Sequence, residues 1–179
     1  MSEFHNMKIA GLERALEKFP VSDKLDIAAF ILFGDVEVTV AAAEELLKKV
    51  PEFDIILTPE AKSIPLAYEM SRQSGKPYVV ARKGVKVYMG NPLHVSVRSI
   101  TTNKVQDLYL GDGEVAKIRG KRVLIVDDVI STGESLIAVR KLVNDAQGIE
   151  VASCAVLAEG DAKDRDDIIF LEPLPLFFK

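Results

Sequence analysis

Apolar and polar positions along this chain fall into two periods, and the switches between them mark strands and helices. Val123-Leu124-Ile125-Val126 is an uninterrupted apolar run bounded by Lys121-Arg122 and by Asp127-Asp128. Its length and β-branching predict a central strand of a parallel sheet. Phe53 to Thr58, Tyr78 to Arg82 and Ile149 to Ala158 read the same way. Between the first two lies Ile64 to Ser74, with an apolar face at Ile64, Ala67 and Tyr68, ended by Gly75-Lys76-Pro77. Strand, helix and strand make a βαβ unit, which implies a parallel sheet with a right-handed crossover. Ser135 to Val143 is a second crossover helix. A third helix begins at Thr39; over Ala41 to Val50 it carries Glu44 and Glu45 early and Lys48 and Lys49 late, as the helix dipole prefers, and Pro51 stops it. Gly11 to Phe19 reads as a short helix broken at Pro20. Over Leu25 to Phe33, periodicity does not separate strand from helix.

Beyond Pro92 the period changes to two. Val95, Val97 and Ile100 alternate with polar residues, a polar stretch Thr101 to Lys104 follows, and Val105, Leu108 and Leu110 close the pattern. This predicts an antiparallel ribbon over about 95–110, a candidate flap over an active site. Asp161 to Asp167 is a charged connection, Ile168 to Phe170 a last short strand, and the proline-stiffened tail from Leu171 to Phe178 is apolar enough to pack over the core or the site. The fold class expected is α/β: one domain over 1–179 whose central parallel sheet is flanked by helices. Its core is about 51–158, and a small hood is built from about 1–50 and 159–179.

Composition narrows the function. The net charge of −4 does not favour nucleic acid, and the one cysteine, Cys154, lies in an apolar strand and excludes an internal disulfide. The longest apolar run, Ile27 to Phe33, is too short to span a bilayer, and no small-residue cleavage site follows an apolar core near Met1 to Asn6. A cytoplasmic protein without membrane or nucleic-acid partners is expected. His5 and His94 are isolated and give no metal-ligand pattern. No Gly-x-Gly-x-x-Gly follows the first strand, which removes a dinucleotide-binding domain.

The chemistry concentrates after Val126. Asp127 and Asp128 repel anions and suit the hydroxyls of a sugar, or a hydrated Mg²⁺ reached through water or substrate. Ser131, Thr132, Gly133, Glu134 and Ser135 form a turn into a helix, where backbone amides and hydroxyls converge on an anion and Ser135 or Thr132 can cap the helix. Two other strand ends carry cations: Ala61-Lys62-Ser63 after Phe53 to Thr58, and Arg82-Lys83 with Lys86 after Tyr78. Basic residues at the carboxyl edge of a parallel sheet face the ligand crevice.

The string Val123 to Ser135 resembles the signature of the type I phosphoribosyltransferases, which bind 5-phosphoribosyl 1-diphosphate (PRPP). Ile64-Pro65-Leu66-Ala67-Tyr68, Pro77, Arg82-Lys83 and the Ser-Ile-Thr-Thr of the ribbon are similar to its purine branch, in the style of adenine phosphoribosyltransferase-like proteins. The resemblance implies that Asp127 and Asp128 are catalytic, approaching the ribose hydroxyls and reaching Mg²⁺ indirectly. It implies that Ser131 to Ser135 hold the 5′-phosphate, Glu134 through its amide, and that Ala61, Lys62, Ser63, Arg82, Lys83, Lys86 and Ser99 meet the diphosphate. The expected activity is purine salvage: transfer of the phosphoribosyl group to a purine base, adenine foremost, with hypoxanthine, guanine or xanthine as alternatives. A PRPP-sensing regulator without turnover is the other reading. A homodimer is the family's usual state. The chain departs from the family at Lys62-Ser63, where a glycine is common. It departs again at Arg98 to Asn103, which lacks the glutamate of adenine enzymes. Phe33 or Phe177 are candidates to cover the base.

Overall fold

From Leu12 to Ser22 the chain is a strand, not the helix expected over Gly11 to Phe19. Leu12 and Leu16 are four apart, a spacing that suits one face of a helix and one face of a strand equally. Tertiary pairing decides. In the computed structural model, which describes residues 2–98 and 105–179, β1 (Phe4–Ile9) and β2 (Leu12–Ser22) form a hairpin with Ile9 opposite Leu12. Its two-residue turn has positive φ at both Ala10 and Gly11, the geometry that matches strand twist. Pro20 lies where the register between β2 and β3 (Leu25–Ala28) shifts, so its missing N–H is tolerated at an irregularity.

α1 (Val36–Lys49) starts earlier than the expected Thr39 because Asp35 caps it, accepting from Val38 N at 3.2 Å, while Arg14 Nε holds the same carboxylate at 2.7 Å. β4 (Ile55–Pro59), α2 (Ile64–Ser74) and β5 (Tyr78–Ala81) form the βαβ unit. The ribbon is β6 (Leu93–Arg98) and β7 (Val105–Leu110), followed by α3 (Asp112–Ile118), a short helix that the sequence pattern does not announce. β8 (Arg122–Ile130), α4 (Glu134–Asp145) and β9 (Ile149–Glu159) come next. A single 3-10 turn over Gly160–Asp164 leads to β10 (Ile169–Leu174) and β11 (Phe177–Phe178).

β10, β9, β8, β4 and β5 lie in that order in one sheet, all parallel. Alternate side chains separate two packed faces. Ile55, Leu57, Val123 and Ile125 join the cluster under α4 and the ribbon, whereas Ile56, Leu124, Val126 and Val156 join the cluster under α1 and α2. The chain ends build a second sheet, ordered β1, β2, β3, β11, in which Phe177 of the tail pairs with Asp26. α1 and β10, which fall in the ranges read from sequence as hood, pack with the central sheet instead. The ribbon is fastened beyond β5 through a bridge between Arg82 and Tyr109.

The strand order contains one reversal. From β4 the chain crosses through α2 to β5 on one side; from β8 it crosses through α4 to β9 on the other. Open parallel sheets bind ligands at the carboxyl ends of the strands flanking such a reversal. The crevice is therefore fixed by topology between the ends of β4 and β8.

Candidate functional site

The turn after β4 is built from side chains turned inward. Ser63 is buried; its hydroxyl donates to Pro59 O at 2.9 Å, and Thr58 Oγ1 lies 2.8 Å from both Ser63 Oγ and Val126 O. These hydroxyls tie the turn to β8. What Ser63 offers the crevice is its backbone, because its side chain is spent on the fold. Ala61 and Lys62 are exposed, and the Glu60–Ala61 peptide is cis. Glu60 Oε2 accepts from Lys83 N at 3.0 Å and lies 3.4 Å from Arg82 Nε, so the turn is also linked to the end of β5.

β8 outlasts its neighbour. Its pairing with β4 ends at Leu57 opposite Ile125, whereas its pairing with β9 continues to Ile130 opposite Ala158. The strand thus runs past the acid pair instead of ending at Val126. Asp127 and Asp128 occupy the stretch where β4 has left one edge open. The Asp128 side chain is only 6% exposed, and Lys62 Nζ stands 2.9 Å from its Oδ2. That approach has the distance of an ion pair but not the alignment of a hydrogen bond, and Oδ2 accepts no hydrogen bond among the described residues. Asp127 Oδ1 accepts from Asp128 N at 2.9 Å. Burial, and then the charge of Asp128, push the Asp127 carboxyl well above the usual carboxylate range, while Lys62 pulls it down in part.

The turn after β8 is built the opposite way. Gly133, at φ +82°, is the N-cap of α4, and among the described residues no side chain caps the helix. The capping expected from Ser135 or Thr132 is not made. Ser135 Oγ instead donates to Gln106 Oε1 of β7 at 3.0 Å, and Thr132 is exposed. The first amides of an α-helix have no acceptor within it. Those of α4 carry the positive end of the helix dipole at the crevice, which suits them to an anion.

A cavity of about 320 Å³ joins the two turns. Of the residues singled out from sequence, Ala61, Lys62, Ser63, Lys83, Asp127, Asp128 and Ser135 line it. Ser131 to Glu134 form the turn between its acids and Ser135. Arg82 stands behind Glu60. Lys86 is not among the lining residues; it sits in the loop after β5, where its amide meets Met89 Sδ at 3.1 Å. Ser99 and the Ile100 to Asn103 part of the flap lie outside the described residues. Glu60 and Gln106 line the cavity without having been singled out. Both follow from pairing partners distant in sequence, which no local pattern signals. Among the described residues no three His, Cys, Asp or Glu side chains gather to hold a metal, and no helix is long and apolar enough to cross a membrane.

A model of the phosphoribosyl transferase domain matches residues 36–173. A hypoxanthine/guanine phosphoribosyltransferase of Methanococcus voltae is 35% identical over 146 residues, covering 82% of this chain and 72% of that protein. The purine biosynthesis transcriptional repressor PurR of Bacillus subtilis is 30% identical over 114 residues, 64% of this chain and 39% of the repressor. In fold, the chain is similar to the adenine phosphoribosyltransferase of Thermoanaerobacter pseudethanolicus, with a TM-score of 0.68 at 22% identity over 96% of this chain and 95% of that one. The Saccharomyces cerevisiae adenine enzyme gives 0.67 at 19% identity, over 95% and 92%. The matched span runs from the first residue of α1 into β10 and takes in both turns of the crevice, and the chain belongs to the phosphoribosyl transferase domain family, in its type I fold.

Proposed function

We propose that this protein is a purine phosphoribosyltransferase that moves the 5-phosphoribosyl group of PRPP to a 6-oxopurine, hypoxanthine or guanine. The observation that carries the reaction is one cavity with an uncapped helix N-terminus and two carboxylates on one side and a lysine-bearing turn on the other. That arrangement suits a sugar phosphate whose leaving group is a second anion. The amides and hydroxyls of Ser131 to Ser135 take the 5′-phosphate. Asp127 and Asp128 accept from the ribose hydroxyls. Lys62, Lys83 and the backbone of Ala61 and Ser63 take the diphosphate, with Arg82 behind them. The choice of base rests on the relatives that align in sequence, in place of the adenine expectation; likeness to adenine enzymes at 22% identity or less speaks for the fold alone.

In the reaction a ring nitrogen of the base attacks the anomeric carbon as the bond to diphosphate breaks, and the nitrogen's proton leaves to solvent or a carboxylate. The sugar passes through a cation-like state. Asp128, and Asp127 once the cation-like sugar beside it draws off its proton, stabilise that charge. Asp127 and Asp128 would hold Mg²⁺ when it arrives with the substrate: Asp128 is buried at the crevice, and its Oδ2 faces the Lys62 ammonium without a hydrogen bond among the described residues. Bound there, Mg²⁺ would neutralise charge on the departing diphosphate. The ribbon, linked to the signature turn through Gln106 and Ser135, is placed to keep water out.

Pyrophosphate release tests the proposal: protein, Mg²⁺ and PRPP are mixed with hypoxanthine, guanine, xanthine or adenine in turn. Release with hypoxanthine or guanine is expected. Release with adenine alone would overturn the base. No release with any base, alongside measurable PRPP binding, would favour a PRPP sensor, the reading supported by likeness to the repressor. We also take the protein to be a cytoplasmic homodimer. Exposed Phe33, Val36, Val40 and Tyr68, beside an apolar groove between α1 and α2, support a second copy docking there, and sedimentation equilibrium at a monomer mass would exclude it.

A further inference from the structure

The turn that receives the 5′-phosphate carries no cationic side chain of its own: it reads Ser131-Thr132-Gly133-Glu134-Ser135. A cation reaches it from elsewhere. Arg165, between the 3-10 turn and β10, lays its guanidinium against Gly133 so closely that a Cβ at Gly133 would overlap Arg165 Nη1. We propose that Arg165 is a 5′-phosphate ligand, with Nη1 presented to the anion that the α4 amides hold.

The rest of the guanidinium is fixed. Arg165 Nε and Nη2 donate to the two carboxylate oxygens of Asp167 at 2.8 and 2.7 Å, a forked pair that sets the plane of the group. Asp167 is anchored in turn by Arg140 of α4, whose Nη1 donates to it at 2.6 Å. Arg140 also pairs with Glu150 at 2.9 Å. Its charge is thus engaged on α4 and β9, away from the turn. Arg165 Nη1 alone makes no hydrogen bond among the described residues, and it is the guanidinium atom nearest Gly133. Arg140, Arg165, Glu150 and Asp167 form a neutral set, so what Arg165 brings is a directed, charge-assisted donor, not net charge. Such donors are about twice as strong as neutral ones.

Arg165 is tied to the same helix whose N-terminus binds the anion. Asp167 and Arg140 hold it at a fixed place relative to α4, so the donor is pre-positioned before substrate arrives. The glycine at position 133 then has two reasons: its positive φ, and the room that the guanidinium takes.

The inference rests on reading the turn as the 5′-phosphate site, and the test separates the two. Ribose 5-phosphate and pyrophosphate are titrated separately by calorimetry into the wild type, Arg165→Gln and Arg165→Lys. If the wild type binds pyrophosphate but not ribose 5-phosphate, the turn itself is misread. If the wild type binds both, Arg165→Gln is expected to weaken ribose 5-phosphate by about tenfold or more, the size of a lost charged hydrogen bond. Pyrophosphate affinity should hold within about twofold, and KM for PRPP should rise far more than kcat falls. A ³¹P titration of bound ribose 5-phosphate adds a signature that packing alone would not move: its second ionisation shifts upward in Arg165→Gln as the cation is withdrawn. Wild-type affinity for ribose 5-phosphate in Arg165→Gln overturns the proposal. Should that variant not fold, Arg165→Lys decides. It keeps the charge but cannot fork to Asp167, and an undiminished affinity there is equally fatal.

Discussion

The crevice is made by two strand–turn–helix units side by side, and they are built on opposite plans. After β8, Gly133 opens α4 with no side-chain cap among the described residues, so the turn presents its backbone to the crevice. After β4, Ser63 and Thr58 fold their hydroxyls into the protein, and the turn is closed by its own side chains. The first plan makes a site whose shape follows from glycine and the helix. The second makes a rigid frame whose chemistry depends on the few groups left outside, chiefly Lys62. The lesson is that equivalent positions in a sheet need not be built alike: one turn presents its backbone, the other supports a side chain.

Valine at Gly133 should break the first plan most severely. It cannot adopt φ +82° without strain, and it collides with Arg165. A misplaced turn misaligns the whole ribose, and kcat/KM for PRPP should fall by about a hundredfold or more. A loss under threefold would mean that the amides of α4 are not the anchor. Lys62→Met attacks the second plan at its exposed cation. Steady-state rates should show kcat/KM falling by about tenfold or more, as for one charged donor lost from a leaving group. An unchanged rate would move the diphosphate to Lys83 and Arg82.

Ser63→Ala sharpens the contrast. Thr58 keeps Val126 O as an acceptor, so the variant leaves only Pro59 O without its donor. Denaturant unfolding should show about 1–2 kcal/mol of lost stability, with pyrophosphate affinity unchanged. A larger effect on pyrophosphate than on stability would make the hydroxyl a ligand and erase the difference between the turns.

The same contrast explains what could be read from sequence. Val123 to Ser135 is legible because strand, acids, glycine and helix start are contiguous, and each acts through local chemistry. The β4 turn is half legible. Lys62 stands out as a cation at a strand end, but that Ser63 faces inward depends on Thr58 and on Val126, 63 positions along. Arg165 reaches Gly133 from a connection that reads only as charged. Gly11 to Phe19, most of β2, reads as a helix because apolar residues four apart fit both periods, and only pairing with β1 and β3 selects the strand. α1 shows the same dependence at a smaller scale, since Asp35 becomes a cap once Arg14 of β2 fixes it.

The last contrast concerns the acid pair that both turns share. Asp127 carries a carboxyl pushed up from 3.8 to about 8, first by burial and then by Asp128. A carboxyl whose folded value is raised favours the folded state while it is protonated. That contribution is whole below the unfolded value near 4 and fades as pH rises through the folded one. At neutral pH the ligand-free protein therefore holds Asp127 at a cost to its stability. Asparagine keeps an oxygen to accept from Asp128 N and removes the ionisation. Asp127→Asn should match the wild type in thermal midpoint near pH 4, and by pH 8 it should melt a few degrees higher while having lost turnover. A pH-independent difference would show that packing, not ionisation, separates the two proteins. A lower midpoint at pH 8 would show that the charge of Asp127 is already stabilised by Lys62 before any substrate binds. In that case the two turns would be coupled through their acids, and the ligand would have less to gain from entering between them.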